Sequence, residues 1–321
     1  MRFLKKAFKG WVRPPLLLSI FAKGESCVKK SKSCQGSLHL QYVSLTLPAL
    51  ILFTIGLIIP IFMCFYYSMF EWDGFSAAKQ FLGLGNYARI FTDEYVQDTW
   101  KFTIIFAIVN SLTADVAALL LAVLLDSNIR AKTLHRTIVF IPCLFSSIVT
   151  GFVWKKMYST VLPGVTAALG LKINTLLFGS PNTVLTGLTI ANCWQWTGLW
   201  MMIYLAALQS ISPEYYEAAR VDGANAIQRF FNVTIPLLMP AIITCTVALT
   251  TGALKTYDIL VTATEGGPGR ASNTIVYYAF NAAFKLKQYG YGSAMSVSLI
   301  IALLIVAVVQ LKLFSRKEVQ L

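Results

Sequence analysis

Chemistry in this chain would have to come from few groups. Its two histidines, His39 and His135, lie in different segments, so the paired-histidine helix of a metalloprotease is absent. The dipeptide Gly-Lys does not occur, which removes a phosphate-binding loop ending in Gly-Lys-Ser/Thr. Cys27 and Cys34 stand in a Lys-rich stretch with His39 as the nearest third ligand, a spacing wider than metal sites use. Cys64, Cys143, Cys193 and Cys245 fall in apolar runs, where a thiol behaves as a small hydrophobe. No Ser-His-Asp set has a supporting local signature. The sequence therefore predicts no catalytic residue, no metal site, no cofactor bound by the chain itself and no enzymatic activity. Three ionisable residues in apolar surroundings remain. Asp115 falls mid-helix, where a charge is expensive and normally faces a cavity or a partner. Lys255 and Asp258 stand three residues apart, a spacing that predicts an ion pair on one helix face or a gate.

The elements that must hold these residues are membrane helices. The 321 residues are 56% hydrophobic and only 13% charged, against about 25% charged in a soluble domain, and the mean hydropathy is +0.65. About 20 apolar residues cross the hydrocarbon core, and six segments qualify, near 43–69, 99–125, 137–158, 182–208, 237–263 and 292–313. Backbone groups in lipid must be satisfied within the segment, so the expected fold is all-α and integral to the membrane. Pro48, Pro60, Pro142 and Pro240 are read as lying near span ends. The formal charge of +13 matters here by placement, with no nucleic-acid partner inferred. Segments on the N-terminal side of the membrane carry 17 of the Lys and Arg residues and those on the other side 8. That bias predicts both termini in the cytoplasm. Residues 1–42 read as a basic cytoplasmic tail touching lipid headgroups, and 43–321 as the membrane domain.

Between the fourth and fifth spans, 209–236 is built like a structured element. Ser212 suits a helix N-cap and Pro213 the first helical position. Glu214 sits where the helix dipole favours a negative charge. Gly223 can end the helix in a left-handed conformation, a second short helix fits Asn225–Asn232, and Pro236 opens the next span. This predicts a helix-turn-helix, either a solvated loop or a docking element for a cytoplasmic partner.

Glu217-Ala218-Ala219, then Gly223, then Val233-Thr234-Ile235-Pro236 resembles the EAA loop of ABC importer permeases, with Val233 and Ile235 as mild departures. Gly83-Leu84-Gly85-Asn86-Tyr87 and Thr264-Glu265-Gly266-Gly267-Pro268 resemble the carbohydrate branch, as in the first permease subunit of maltose-type importers. The likeness covers about 43–315, and the basic tail is not part of it. It implies a type I importer permease with a second homologous permease, two ATPase subunits that hold ATP and magnesium, an extracytoplasmic solute-binding protein and a sugar as cargo. In that family the EAA loop docks on the ATPase, which assigns coupling to Glu217, Ala218, Ala219, Asp222, Gly223 and Pro236.

The resemblance also implies a solute path. Family positions transfer to Asn192, Gln195, Trp196 and Leu199 in the fourth span and to Leu249, Gly252, Ala253 and Thr256 in the fifth. Each set shares one helix face. Asn192 and Gln195 would serve hydroxyls, and Trp196 would offer an apolar plate to a sugar ring, with Trp194 and Trp200 as alternatives. Against this, the amides could bond between helices and Gly252 and Ala253 could simply permit close packing. Should Lys255 line the path, an acidic sugar or sugar phosphate becomes the cargo. The rival readings are an ion-driven secondary transporter using Asp115 and Asp258, or the same architecture importing an organophosphate.

Overall fold

The computed structural model describes residues 43, 46–127, 130–171 and 175–315. The basic tail, with Cys27, Cys34 and His39, lies outside the described residues. Residues to Phe62 form one unit and Met63–Leu321 a second.

Helix α1, Thr46–Tyr67, is long and apolar enough to cross a bilayer. Pro60 is well inside it rather than at its end, correcting the sequence reading. Proline lacks the N–H that would close the preceding turn, and the helix widens into a π turn over Thr54–Ile58, where Ile59 N donates to Thr54 O.

In the second unit a short hairpin, β1 (Phe70–Glu71) and β2 (Gln80–Phe81), pairs antiparallel. Lys79 Nζ lies 4.5 Å from the centre of the Trp72 ring and 4.9 Å from that of Tyr67, and the two rings stack at 4.5 Å. Asp73 accepts from the backbone N–H of Ser76 and of Phe75 and from the Ser76 hydroxyl. These bonds hold its carboxyl below the usual carboxylate range. Helix α2 (Gly85–Thr92) then leads to α3 (Glu94–Asp126), whose first turn is capped by the Asp93 carboxylate accepting from Tyr95 N.

Helix α3 shows why the bundle forms. Ala107, Ser111, Ala114, Ala118 and Ala122 are buried on one face, and small residues there let another helix approach closely. That neighbour is α6 (Val184–Ser210). The opposite face presents Ile104, Ile108, Leu112, Leu120 and Leu124 outward, as a lipid-facing surface must.

The segment expected as one span over 137–158 is a corner. Helix α4 (Lys132–Leu144) and α5 (Ser147–Ala168) meet at 99°. The Pro142 turn tightens to 3-10 geometry, Phe145 is extended, and Ser146 caps α5. Close contact with α6 is possible only because residue 198 is glycine: a Cβ there would lie 2.2 Å from Val139 O.

After α6, helices α7 (Pro213–Val221) and α8 (Ala226–Leu237) form the connecting element, and α8 bends by 71° into α9 (Met239–Leu254). The expected 237–263 span also breaks: α9 ends at Leu254 and α10 covers Asp258–Ala263. Thr274 Oγ1 donates to the carbonyl of Thr256 in that break. Helices α11 (Ile275–Phe280) and α12 (Tyr289–Ser315) complete the described fold.

Among the described residues three single helices, α1, α3 and α12, are long and apolar enough to span, or five elements if each bent pair counts as one. Helix α6 has 27 residues, about 40 Å at 1.5 Å per residue, and carries Asn192 and Gln195 within it.

Candidate functional site

Helices α6 and α9 enter and leave the α7–α8 element, and between them lies a cavity of about 270 Å³. Asn192, Trp196 and Leu199 line it from α6, and Leu249, Gly252 and Ala253 from α9. Thr256 lines it from the break beyond α9. The structure thus brings together seven of the eight path residues expected from the sequence.

Gln195 is the exception. It is fully buried, and its Nε2 donates to Phe145 O at 2.9 Å. The carbonyl freed by the α4–α5 corner needs a donor, and Gln195 supplies it, so in this structure Gln195 bonds between helices and does not line the cavity. Trp194 likewise belongs to the corner, with its ring parallel to that of Phe145, whereas Trp200 lines the cavity.

Lys255 and Asp258 do not pair. Neither has an ion-pair partner among the described residues, where the pairs are Lys101–Asp98 and Lys155–Glu265. Because α9 stops at Leu254 and α10 starts at Asp258, the three-residue spacing no longer places them on one helix face. Both line the cavity, and both are exposed.

Asn110, Ser147 and Tyr257 also line the cavity, and sequence reasoning missed them. Asn110 carried a signal, as an amide inside an apolar run. Ser147 was hidden by the unforeseen corner and Tyr257 by the unforeseen helix break. The wall therefore offers amides and hydroxyls for hydrogen bonding, two indole faces, and one charge of each sign. Such a surface suits a polar, ring-containing solute.

Asp115, beyond the cavity, is held by Tyr204 Oη on one oxygen and by Thr246 Oγ1 on the other, the latter at 2.6 Å.

The α7–α8 element has defined caps. Pro213 opens α7, but the Ser212 hydroxyl makes no cap bond. Gly223, at φ 77°, closes α7, with Ala224 N donating to Ala219 O and Gly223 N to Arg220 O. This paired pattern needs a left-handed residue, which favours glycine. Asn225 and Gln228 form a reciprocal capping box at the start of α8. Tyr216 Oη and Thr234 Oγ1, 3.2 Å apart, tie the two helices together. These bonds brace the element internally, while Glu217, Ala218, Asp222, Val221 and Ile227 face outward; Ala219 and Pro236 are half-buried.

Residues 16–318 match the model of the family described as binding-protein-dependent transport system inner membrane component. The match begins inside the tail, earlier than the expected likeness. The multiple sugar-binding transport system permease protein MsmF of Streptococcus mutans is 31% identical over 271 residues, covering 84% of this chain and 93% of that one. The sn-glycerol-3-phosphate transport system permease protein UgpA of Agrobacterium fabrum is 29% identical over 277 residues, covering 85% and 94%. Among solved structures, a chain of a bacterial ABC transporter involved in the import of the acidic polysaccharide alginate shares the fold at TM-score 0.76. It is 20% identical, with 89% of this chain and 99% of that one covered.

Proposed function

The chain belongs to the family of binding-protein-dependent transport system inner membrane components, and from that premise we propose that it is the permease subunit forming half of the translocation pathway of an ATP-driven carbohydrate importer. It is a multi-pass membrane transport component rather than an enzyme. The cavity between α6 and α9 carries the proposal: its Asn192, Trp196 and Trp200 suit hydroxyls and the apolar face of a sugar ring. The likeness to a sugar-transport permease over 84% of the chain supports the same cargo.

In this reading the α7–α8 element docks on a cytoplasmic ATPase subunit, with Glu217, Ala218, Ala219, Asp222, Gly223 and Pro236 as the coupling residues. A second homologous permease completes the path, two ATPase subunits hold ATP with magnesium, and an extracytoplasmic binding protein delivers the sugar. Both termini face the cytoplasm. ATP drives the cycle by binding one conformational state more tightly than the other.

Family membership leaves the ion-gradient reading without support. A second cargo reading, an acidic sugar or an organophosphate, rests on Lys255, which lines the cavity without an ion-pair partner among the described residues, and is opposed by Asp258, equally unpaired in the same wall. Uptake into liposomes containing the purified importer tests both. ATP-dependent accumulation of a neutral sugar is the expected result, whereas accumulation of only uronic acids or sugar phosphates transfers the assignment to the second reading. Absence of ATP dependence would refute the importer.

A further inference from the structure

Asp115 sits within the 33 residues of α3, where an ionisable side chain is costly unless it does something there. Among the described residues it has no ion-pair partner. Its two oxygens instead hold two other helices, one accepting from Tyr204 Oη of α6 and the other from Thr246 Oγ1 of α9. Those are the helices that lead into and out of the α7–α8 element.

The position of this three-helix knot relative to the cavity follows from chain direction. On α6 the cavity is lined as far as Trp200, and Tyr204 is one turn nearer the α7–α8 end. On α9 the lining begins at Ala248, and Thr246 again precedes it on that side. On α3 Asn110 lines the cavity, and Asp115 stands about 7.5 Å further along the axis. All three groups therefore lie between the solute cavity and the coupling element.

We infer that Asp115 is a positioning residue of the gate that closes the solute cavity toward the coupling element. Two hydrogen bonds from neutral donors to one carboxylate are directional, and they strengthen where water is excluded. Relative motion of α6 and α9 against α3 must break them or carry α3 along, giving the knot two discrete arrangements. A rigid displacement of α7–α8 then reaches the cavity floor through Tyr204 and Thr246, with Asp115 as the fixed point. Asp115 needs no contact with solute for this role, and no proton transfer.

The inference rests on the importer reading, and one experiment separates the two. The complete importer, with its binding protein, partner permease and ATPase subunits, is placed in liposomes. Radiolabelled maltose, sucrose, raffinose and digalacturonate are offered, and the sugar moved per ATP hydrolysed is measured. Asp115→Asn and Thr246→Val should each lower that ratio about tenfold, the lower range for losing a hydrogen bond to a charged group. Thr246→Ser, which keeps the donor, should match the wild type. Thermal unfolding of each assembly shows how far the ratio changes independently of stability. Should Asp115→Asn fail to assemble, the Thr246→Val and Thr246→Ser pair carries the test. A working wild type whose variants keep its ratio overturns the gate alone. A wild type that hydrolyses no ATP removes the importer reading and the gate with it.

Discussion

Two neighbouring side chains of α6 show how one turn of helix divides its duties. Trp196 faces the cavity, while Gln195 is buried against the α4–α5 corner with its Nε2 on Phe145 O. Their substitutions should therefore fail in different ways. Trp196→Ala removes an indole face from the wall without touching the corner. Uptake should fall about tenfold or more, by analogy with losing an aromatic hot spot, while the ATPase subunits remain bound on co-purification. Normal uptake of the transported sugar would clear Trp196 of any solute contact. Gln195→Leu leaves the Phe145 carbonyl without its donor, at a cost of about 1–3 kcal/mol. Its thermal unfolding in detergent should move down while the affinity for sugar in the folded fraction stays put. A shift in affinity with unchanged unfolding would return Gln195 to the solute path. At Lys255 and Asp258 the expected ion pair is absent, because a break in the helix separates two residues that spacing alone had joined.

Elements explain why such breaks occur and which were readable. Gly223 has φ 77° and ends α7 with two carbonyls satisfied. An Asp there would have to hold a conformation that L residues adopt reluctantly. Gly223→Asp should abolish ATP-coupled uptake while the protein still inserts into the membrane, as measured by transport and by extraction with detergent. Unchanged transport would show that the turn does not transmit force. The hairpin at Phe70–Phe81 makes a pH prediction. The folded pKa of Asp73 is lowered, chiefly by the N–H of Ser76 and then of Phe75. Its contribution is thus present above the ordinary carboxylate pKa and lost as pH falls through the lowered value. Protection of the Phe75 and Ser76 amides, taken relative to the intrinsic exchange rate at each pH, should fall only in that acidic window, and a loss of protection near neutrality would contradict the assignment. The α7–α8 turn was legible because Pro213, Gly223 and Asn225 each have one strong local preference. The 99° corner was not, because its Pro142 sits in a run that reads as continuously apolar. Its one long-range hydrogen bond among the described residues comes from Gln195, 50 residues away, and no local pattern reports a partner at that distance. Ser212 is the opposite lesson, a residue with the right type and place for a cap whose hydroxyl does not make the bond.

At the scale of the whole molecule, the cavity, the three-helix knot at Asp115 and the α7–α8 element follow one another along α6 and α9. A displacement at one end has a continuous route of packed helix to the other. Hydropathy alone points to an integral membrane bundle, and the EAA-type spacing points to its family without any geometry. Which face of each helix meets the cavity depended instead on the family resemblance and on the helix breaks. The exposed apolar surface of α3 and the outward-facing Val221 and Ile227 of the α7–α8 element are surfaces that lipid and partner chains would cover. On the proposed reading this chain works as one half of a permease driven by separate ATPase subunits. Co-purification from native membranes in a gentle detergent, with the retained chains identified by mass spectrometry, is the decisive experiment. A second homologous permease and an ATPase are expected in the same complex. Recovery of this chain alone, or as a homodimer free of any ATPase, would contradict that reading.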